Sequence, residues 1–245
     1  RPRDWSSDVC SYDLSEANCS ISDGTLTIES VGDGACVVTA TIAESTNYLS
    51  ATDTVTITID KAAQSGFAAR TNGTDGATVT YAASPKTTVA LSSVNGLGGG
   101  TVSYSESDDD CSISGSTLTV EQRGDGTCVV TATIAESANY LGDSDTVTVT
   151  INKAAADLSF TDPANVTFEV GPFDLEAETN NADDNTVTFT VAEASSAVCT
   201  VDGIEVTVIG AGTCTITASR GATANFSAAT SVDQSFTVAR ASLSD

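Results

Sequence analysis

An all-β fold of small tandem modules is predicted by three observations. Residues 19–64 recur 92 positions later as residues 111–156, identical at 33 of 46 positions, and a third, diverged copy runs on from Cys199. Within each copy apolar residues alternate with Thr and Ser. Each copy also carries two cysteines at a recurring separation: Cys19 and Cys36, Cys111 and Cys128, Cys199 and Cys214. Self-similarity at a fixed period means stacked copies of one small unit.

The alternation locates the strands. In copy two Cys128, Val130, Ala132 and Ile134 fall on one face, with Val129, Thr131 and Thr133 on the other. Val147, Val149 and Ile151 alternate with Thr146, Thr148 and Thr150, and copy three repeats the pattern at Cys214, Ile216 and Ala218. Period two with one polar face is the signature of half-buried antiparallel strands. Turn signals such as Gly124-Asp125-Gly126 and Gly210-Ala211-Gly212 separate them. In copy three the strands are expected at 166–170, 173–178, 186–191, 198–201, 204–209, 213–219 and 234–238. Seven short strands in about 90 residues predict an immunoglobulin-like sandwich. The expected boundaries are 15–64 for the C-terminal part of a first module, 65–153 for a second, 154–240 for a third, and 241–245 for the entry to another. The junctions Lys61–Gln64 and Lys153–Ala156 lack the Gly, Ser and Pro of a flexible tether, which predicts a rod-like array.

Gly32–Tyr48, Gly124–Tyr140 and Gly212–Val238 look like a group of repeats that share a Gly-Thr-x-apolar-Thr-Ala-Thr strand, an Asn-aromatic loop and a terminal Thr-Val strand. In this the chain resembles the bacterial Ig-like repeats of large secreted and surface proteins. The resemblance implies stalk, spacing or adhesive modules and carries no catalytic residues. The Cys…Trp…Cys pattern of antibody domains is absent.

Two thiols per module at a repeated spacing read as one disulfide each, Cys19–Cys36, Cys111–Cys128 and Cys199–Cys214, and therefore as an oxidising compartment. Zinc is the competing reading, but the chain has no His, and two cysteines per module leave a tetrahedral site half built. If Cys111 begins the fourth strand and Cys128 the sixth, both lie at one end of the sandwich on the inward face. Cys10 stands outside the pattern.

Arg1–Leu14 (RPRDWSSDVCSYDL) resembles the DWSSDVCSSDL string produced by translating a sequencing adapter, with Tyr12 as the one departure. That resemblance implies a non-native segment with no place in the fold. It would account together for the unpaired Cys10 and for Trp5, the only tryptophan. Read so, the chain is an internal fragment whose first copy lacks its front half.

Charge narrows the partners. The net charge of −24, from 33 acidic and 9 basic residues, is the wrong sign for nucleic acid and for anionic membrane surfaces. No apolar run of 18 residues marks a membrane insertion.

Several features could carry chemistry. Asp108, Asp109 and Asp110, with Asp125 from the next turn but one, are expected at one end of copy two, where carboxylates can hold Ca²⁺; the opposing reading is a solvated acidic loop, since copy three has Ser195, Ser196 and Ala197 there. Arg123-Gly124-Asp125 spells an integrin-type tripeptide, yet its counterpart is Val31-Gly32-Asp33, so only Gly-Asp belongs to the repeat. Asn47-Tyr48, Asn139-Tyr140 and Asn225-Phe226 recur in the last loop. The aromatic there is expected to plug the sandwich end and the Asn to satisfy loop backbone, with sugar stacking as the alternative. Gly98-Gly99-Gly100 is expected to be a flexible loop, because no helix follows it to bind phosphate. No cofactor is called for and no catalytic group is found.

The function expected is that of a non-enzymatic stalk or adhesion segment of an extracellular or cell-surface protein. Its partners would be neighbouring modules of the same chain, and surface glycans or proteins of a host or neighbouring cell. The alternative is a set of accessory carbohydrate- or partner-binding modules of a secreted multi-domain enzyme.

Overall fold

The alternating segments are strands in the computed structural model, which describes residues 10–242. Copy one supplies β1 (Cys10–Leu14), β2 (Cys19–Ser22), β3 (Thr25–Ile28), β4 (Ala35–Ile42) and β5 (Ala51–Thr58). Copy two supplies β6 (Ala68–Thr71), β7 (Ala77–Thr80), β8 (Thr88–Val94), β9 (Val102–Glu106), β10 (Cys111–Ser114), β11 (Thr117–Val120), β12 (Thr127–Ile134) and β13 (Asp143–Asn152). Copy three supplies β14 (Leu158–Phe160), β15 (Val166–Thr167), β16 (Phe173–Asp174), β17 (Ala177–Thr179), β18 (Thr188–Val191), β19 (Cys199–Asp202), β20 (Glu205–Val208), β21 (Gly212–Ser219) and β22 (Val232–Ala239). Among the described residues a single 3₁₀ turn, Glu193–Ser195, interrupts them. The fold is all-β, a tandem of immunoglobulin-like β-sandwiches.

Compactness divides the chain through copy two. One unit takes the described residues up to Asp75 with Ala90–Ser105 and Val130–Val147; the other takes Gly76–Val89, Glu106–Val129 and the chain from Thr148 onward. Each unit therefore holds one junction between copies whole.

Copy three lies entirely in the second unit. One sheet has the order β15-β22-β21-β18, with β15 parallel to β22 and the others antiparallel. The facing layer is made of β16-β20-β19 and the pair β14-β17. The expected strand 173–178 is divided between two partners: Phe173–Asp174 pairs with β20 and Ala177–Thr179 with β14. The inward alternation continues through Leu175, 5% exposed, so the alternation reads as one strand where the ladder changes partner. β14 is not legible in the sequence because three residues are too short to show a period. Between the layers pack Phe160, Leu175, Val206, Ile216, Phe236 and Val238 around the buried disulfide.

All three disulfides exist as read from the spacing. Cys19–Cys36, Cys111–Cys128 and Cys199–Cys214 join one sheet to the other with Cα atoms 6.3, 6.4 and 5.9 Å apart. Facing sheets ordinarily stand about 10 Å apart, so the layers close in at each bridge. In the chain-entropy account a loop of this length contributes about 3 kcal/mol.

β1 corrects an expectation. Cys10–Leu14 does not lie outside the fold: it pairs antiparallel with β4, from Cys10↔Ile42 to Leu14↔Val38, and Leu14 packs on the copy-one core. The reason is an open strand edge and a repeat that begins earlier than its most similar stretch. β1 and β9 occupy the same repeat positions, 92 apart, and Ser11, Tyr12 and Ser15 match Ser103, Tyr104 and Ser107. Tyr12, the departure from the adapter string, coincides with Tyr104. Residues 1–9, including Trp5, lie outside the described residues, as does the side chain of Cys10.

Copy one has sheets of order β1-β4-β5 and β2-β3 only. The β2–β3 turn is a two-residue hairpin, Asp23-Gly24, with φ of 49° and 75°, the left-handed pair that suits the twist of the strands it joins. With no counterpart of β6–β8 among the described residues, Ile28, Ile42 and Val55 stand 44%, 49% and 55% exposed, whereas their equivalents Val120, Ile134 and Val147 are 0%, 1% and 4% exposed.

Candidate functional site

The residues that recur at fixed repeat positions without serving a core meet at the junctions between copies. As the chain leaves β5, Ala62 donates its N–H to the Asn139 carbonyl (2.9 Å) and accepts from the Leu141 N–H (2.8 Å). As it leaves β13, Ala154 does the same with Asn225 (2.9 Å) and Ser227 (2.8 Å). Each linker is thus one rung of parallel pairing with the last loop of the following copy.

The Asn side chain of that loop reaches back further. Asn139 Oδ1 accepts the Val31 N–H at 3.0 Å, and Asn225 Oδ1 accepts the Arg123 N–H at 2.6 Å. Val31 and Arg123 are equivalent positions on the turn before the cysteine-bearing strand. The Asn was expected to satisfy loop backbone; the backbone it satisfies belongs to the preceding copy. A buried amide needs such a partner, and Asn225 is 9% exposed.

Each junction is braced in its own way. In the first, Lys61 pairs with Glu136 at 3.3 Å. Gln64 accepts from the Leu97 N–H (2.8 Å) and donates to the Leu141 carbonyl (3.1 Å). In the second, Lys153 donates to the Thr223 carbonyl at 2.6 Å. There the Asp183 carboxylate accepts both the N–H (2.9 Å) and the side-chain amide (2.8 Å) of Asn225, which turns Oδ1 toward Arg123. Partial burial pushes the Asp183 carboxyl up, but hydrogen bonds from Thr223 and Asn225 and the charge of Arg220 outweigh it and hold the group below its ordinary value. Phe226, 4% exposed, meets Tyr81 edge-on with ring centres 5.8 Å apart.

The glycine run 98–100 connects β8 to β9: Gly98 and Gly100 lie close against the 135–140 segment, while Gly99 faces open space. A Cβ on Gly98, at φ +72°, would stand 2.5 Å from the Tyr140 ring, and one on Gly100 would collide with the Ala135 carbonyl. The absence of side chains lets this loop lie against the junction loop.

Asp108, Asp110 and Asp125 each accept hydrogen bonds at one end of copy two. Asp108 accepts the Val129 N–H at 3.0 Å; in copy three the Ser195 hydroxyl accepts the equivalent Thr215 N–H, also at 3.0 Å. A neutral oxygen does the same work. Asp110 accepts the Asp125 N–H, and in copy one Asn18 stands in its place and donates to Asp33 at 2.9 Å. Asp125 is occupied by Thr127, whose hydroxyl and N–H hold its carboxyl below the ordinary value. Asp109 is exposed. Among the described residues no three His, Cys, Asp or Glu side chains are grouped to hold a metal.

Arg123-Gly124-Asp125 is part of the junction as well. Besides its N–H bond to Asn225, Arg123 donates to the Gly124 carbonyl. A Cβ on Gly124, at φ +52°, would overlap the Asp110 carboxylate.

Sequence reasoning placed Lys61–Gln64 and Lys153–Ala156 at the junctions but missed Tyr81 and Asp183. The legible signal was the recurrence of Lys-Ala-Ala at 61–63 and 153–155 and of an Asn-aromatic pair at 47–48, 139–140 and 225–226.

No protein-family model matches the chain, and no curated protein sequence is similar to it. Solved structures are. Drosophila N-cadherin EC1-3 is 13% identical with a TM-score of 0.37, over 96% of this chain and 90% of that one. Sidekick-1 immunoglobulin domains 1–5 are 10% identical with a TM-score of 0.36, over 95% and 52%. Surface layer protein SbsC, domains 1–6, is 16% identical with a TM-score of 0.31, over 96% and 35%.

Proposed function

We propose that the chain is a structural segment of an extracellular or cell-surface protein, a stalk whose copies are locked in series by their Asn-aromatic loops. One observation carries the reading: the same backbone rung and the same Asn-to-turn hydrogen bond occur at both junctions, at Val31–Asn139 and at Arg123–Asn225. A tether would not repeat such bonds from one copy to the next. Buried disulfides suit an oxidising exterior, and no helix among the described residues is long and apolar enough to cross a membrane. The sugar-binding alternative draws on loop aromatics, and Phe226 offers it little surface.

The test is a pair of dyes placed in copies one and three of the full chain. Replacing Asn139 and Asn225 by Ala should leave the β circular dichroism intact and broaden the distribution of dye separations. An unchanged distribution in the double variant would refute the locking role.

A further inference from the structure

A stalk is loaded along its chain, and in copies two and three a short pair of parallel strands lies where that load acts. Tension on copy two enters ahead of β7 and leaves after β13, and these strands are paired from Ala77↔Val149 to Thr80↔Asn152. The Tyr81 N–H extends the ladder to the Asn152 carbonyl at 2.9 Å. Tension on copy three enters ahead of β15 and leaves after β22, where only Val166↔Val238 and Thr167↔Ala239 are paired. The Phe168 N–H donates to the Ala239 carbonyl at 2.8 Å. A side chain adds to this shorter ladder, since Asn165 Oδ1 accepts the Thr237 N–H at 2.7 Å.

Parallel strands pulled from opposite ends slide along each other. The hydrogen bonds between them share the load and must fail together, whereas a ladder opened from one end loses its bonds one at a time. Bonds between parallel strands are evenly spaced along the pair, so the number of paired residues sets how much load is shared. Copy two has four pairs and copy three has two.

The disulfides act once a copy has given way. Cys111–Cys128 and Cys199–Cys214, with separations of 17 and 15 residues, lie in sequence between the two strands of each clamp. A closed loop cannot extend, so each withholds about 50 Å of chain at roughly 3.3–3.6 Å per residue. None of the four cysteines is more than 5% exposed. Thiol exchange needs direct attack on a sulfur, so a reductant reaches these bonds only after the copy unfolds.

We infer that the chain is built to yield under tension in ordered steps of limited length: copy three gives way before copy two, and the disulfide of each arrests its extension. The inference rests on the stalk reading, which supplies the load.

The test stretches the full chain between its two ends in a force ramp, then holds it at constant force with dithiothreitol. Two insertions of about ten Gly and Ser residues mark the copies, each adding about 35 Å when extended. One follows Gly171, between β15 and β16 and outside the disulfide loop; the other follows Gly115, in the β10–β11 turn and inside the loop closed by Cys111 and Cys128. An added Cβ on either glycine would meet nothing within 4 Å. Copy three is then the copy with the lengthened unfolding step, and copy two the one with the lengthened reduction step. Copy three should unfold at the lower force. Reduction should follow unfolding and add about 50 Å in copy three and about 85 Å in the marked copy two. Asn165→Ala should lower the force for copy three alone, because forced unfolding reads the unfolding rate. Copy three holding as long as copy two, no response to Asn165→Ala, or reduction steps that are absent or precede unfolding would each overturn the inference. If that happens while the dye separations still depend on Asn139 and Asn225, the locked stalk stands and only its ordered yielding fails.

Discussion

Asn225 is the residue on which the second junction turns, because Asp183 holds it on one side and the Arg123 N–H takes its oxygen on the other. The depressed Asp183 carboxyl makes this arrangement sensitive to acid. A carboxylate whose folded pKa lies below its unfolded value, about 3.9, adds stability that is present above that value. The contribution is lost as pH falls through the folded pKa. Asp183→Asn should therefore lower the stability at neutral pH modestly, by about 0.5–1 kcal/mol for an exposed group, read as a lower urea midpoint. The gap from wild type should close as the pH is taken from about 4 downward. Urea titrations of both proteins at neutral and acid pH check it, and a gap that widens in acid would contradict the assignment.

At the scale of elements, copies one and two are a natural comparison of one strand set with and without its covering layer. β4 and β12 are nearly identical in sequence, but Ile134 at the end of β12 is buried and Ile42 at the end of β4 is half exposed. Ile134→Ala should cost about 2–5 kcal/mol and Ile42→Ala about 0.5 kcal/mol or less. Hydrogen exchange of the β12 and β4 amides reads the two losses separately; equal losses would mean that the apolar face of copy one is covered after all. Most of these strands were legible in sequence because period-two alternation needs only four or five residues to show. β1 was hidden by a stronger resemblance, and the division at Leu175 was hidden because burial alternates in the same way whichever partner the backbone bonds to.

The behaviour of the whole molecule is governed by its charge, −24 over 245 residues. Such a chain attracts any divalent cation diffusely. The carboxylates of Asp108, Asp110 and Asp125 already accept hydrogen bonds from the protein. Ca²⁺ and Mg²⁺ should therefore raise the melting temperature to the same extent, and moderate NaCl should erase both effects. Calorimetry with Asp109→Asn and Asp125→Asn provides the control. A rise specific to Ca²⁺ that this double variant abolishes would instead establish a calcium site at that end.

The amino-acid sequence alone determined most of the strands, the repeat, the three cysteine pairs and the chemistry of the surface. These are local or periodic properties: a two-residue alternation and a constant spacing survive being read along a line. Only the tertiary structure decided what the recurring Asn-aromatic and Lys-Ala-Ala segments are for. The partners Val31 and Asn139 are 108 residues apart, and Arg123 and Asn225 are 102 apart. A hydrogen bond of about 3 Å between such positions depends on how two copies meet. Recurrence could show that both segments matter, but only their juxtaposition shows that they are two halves of one contact.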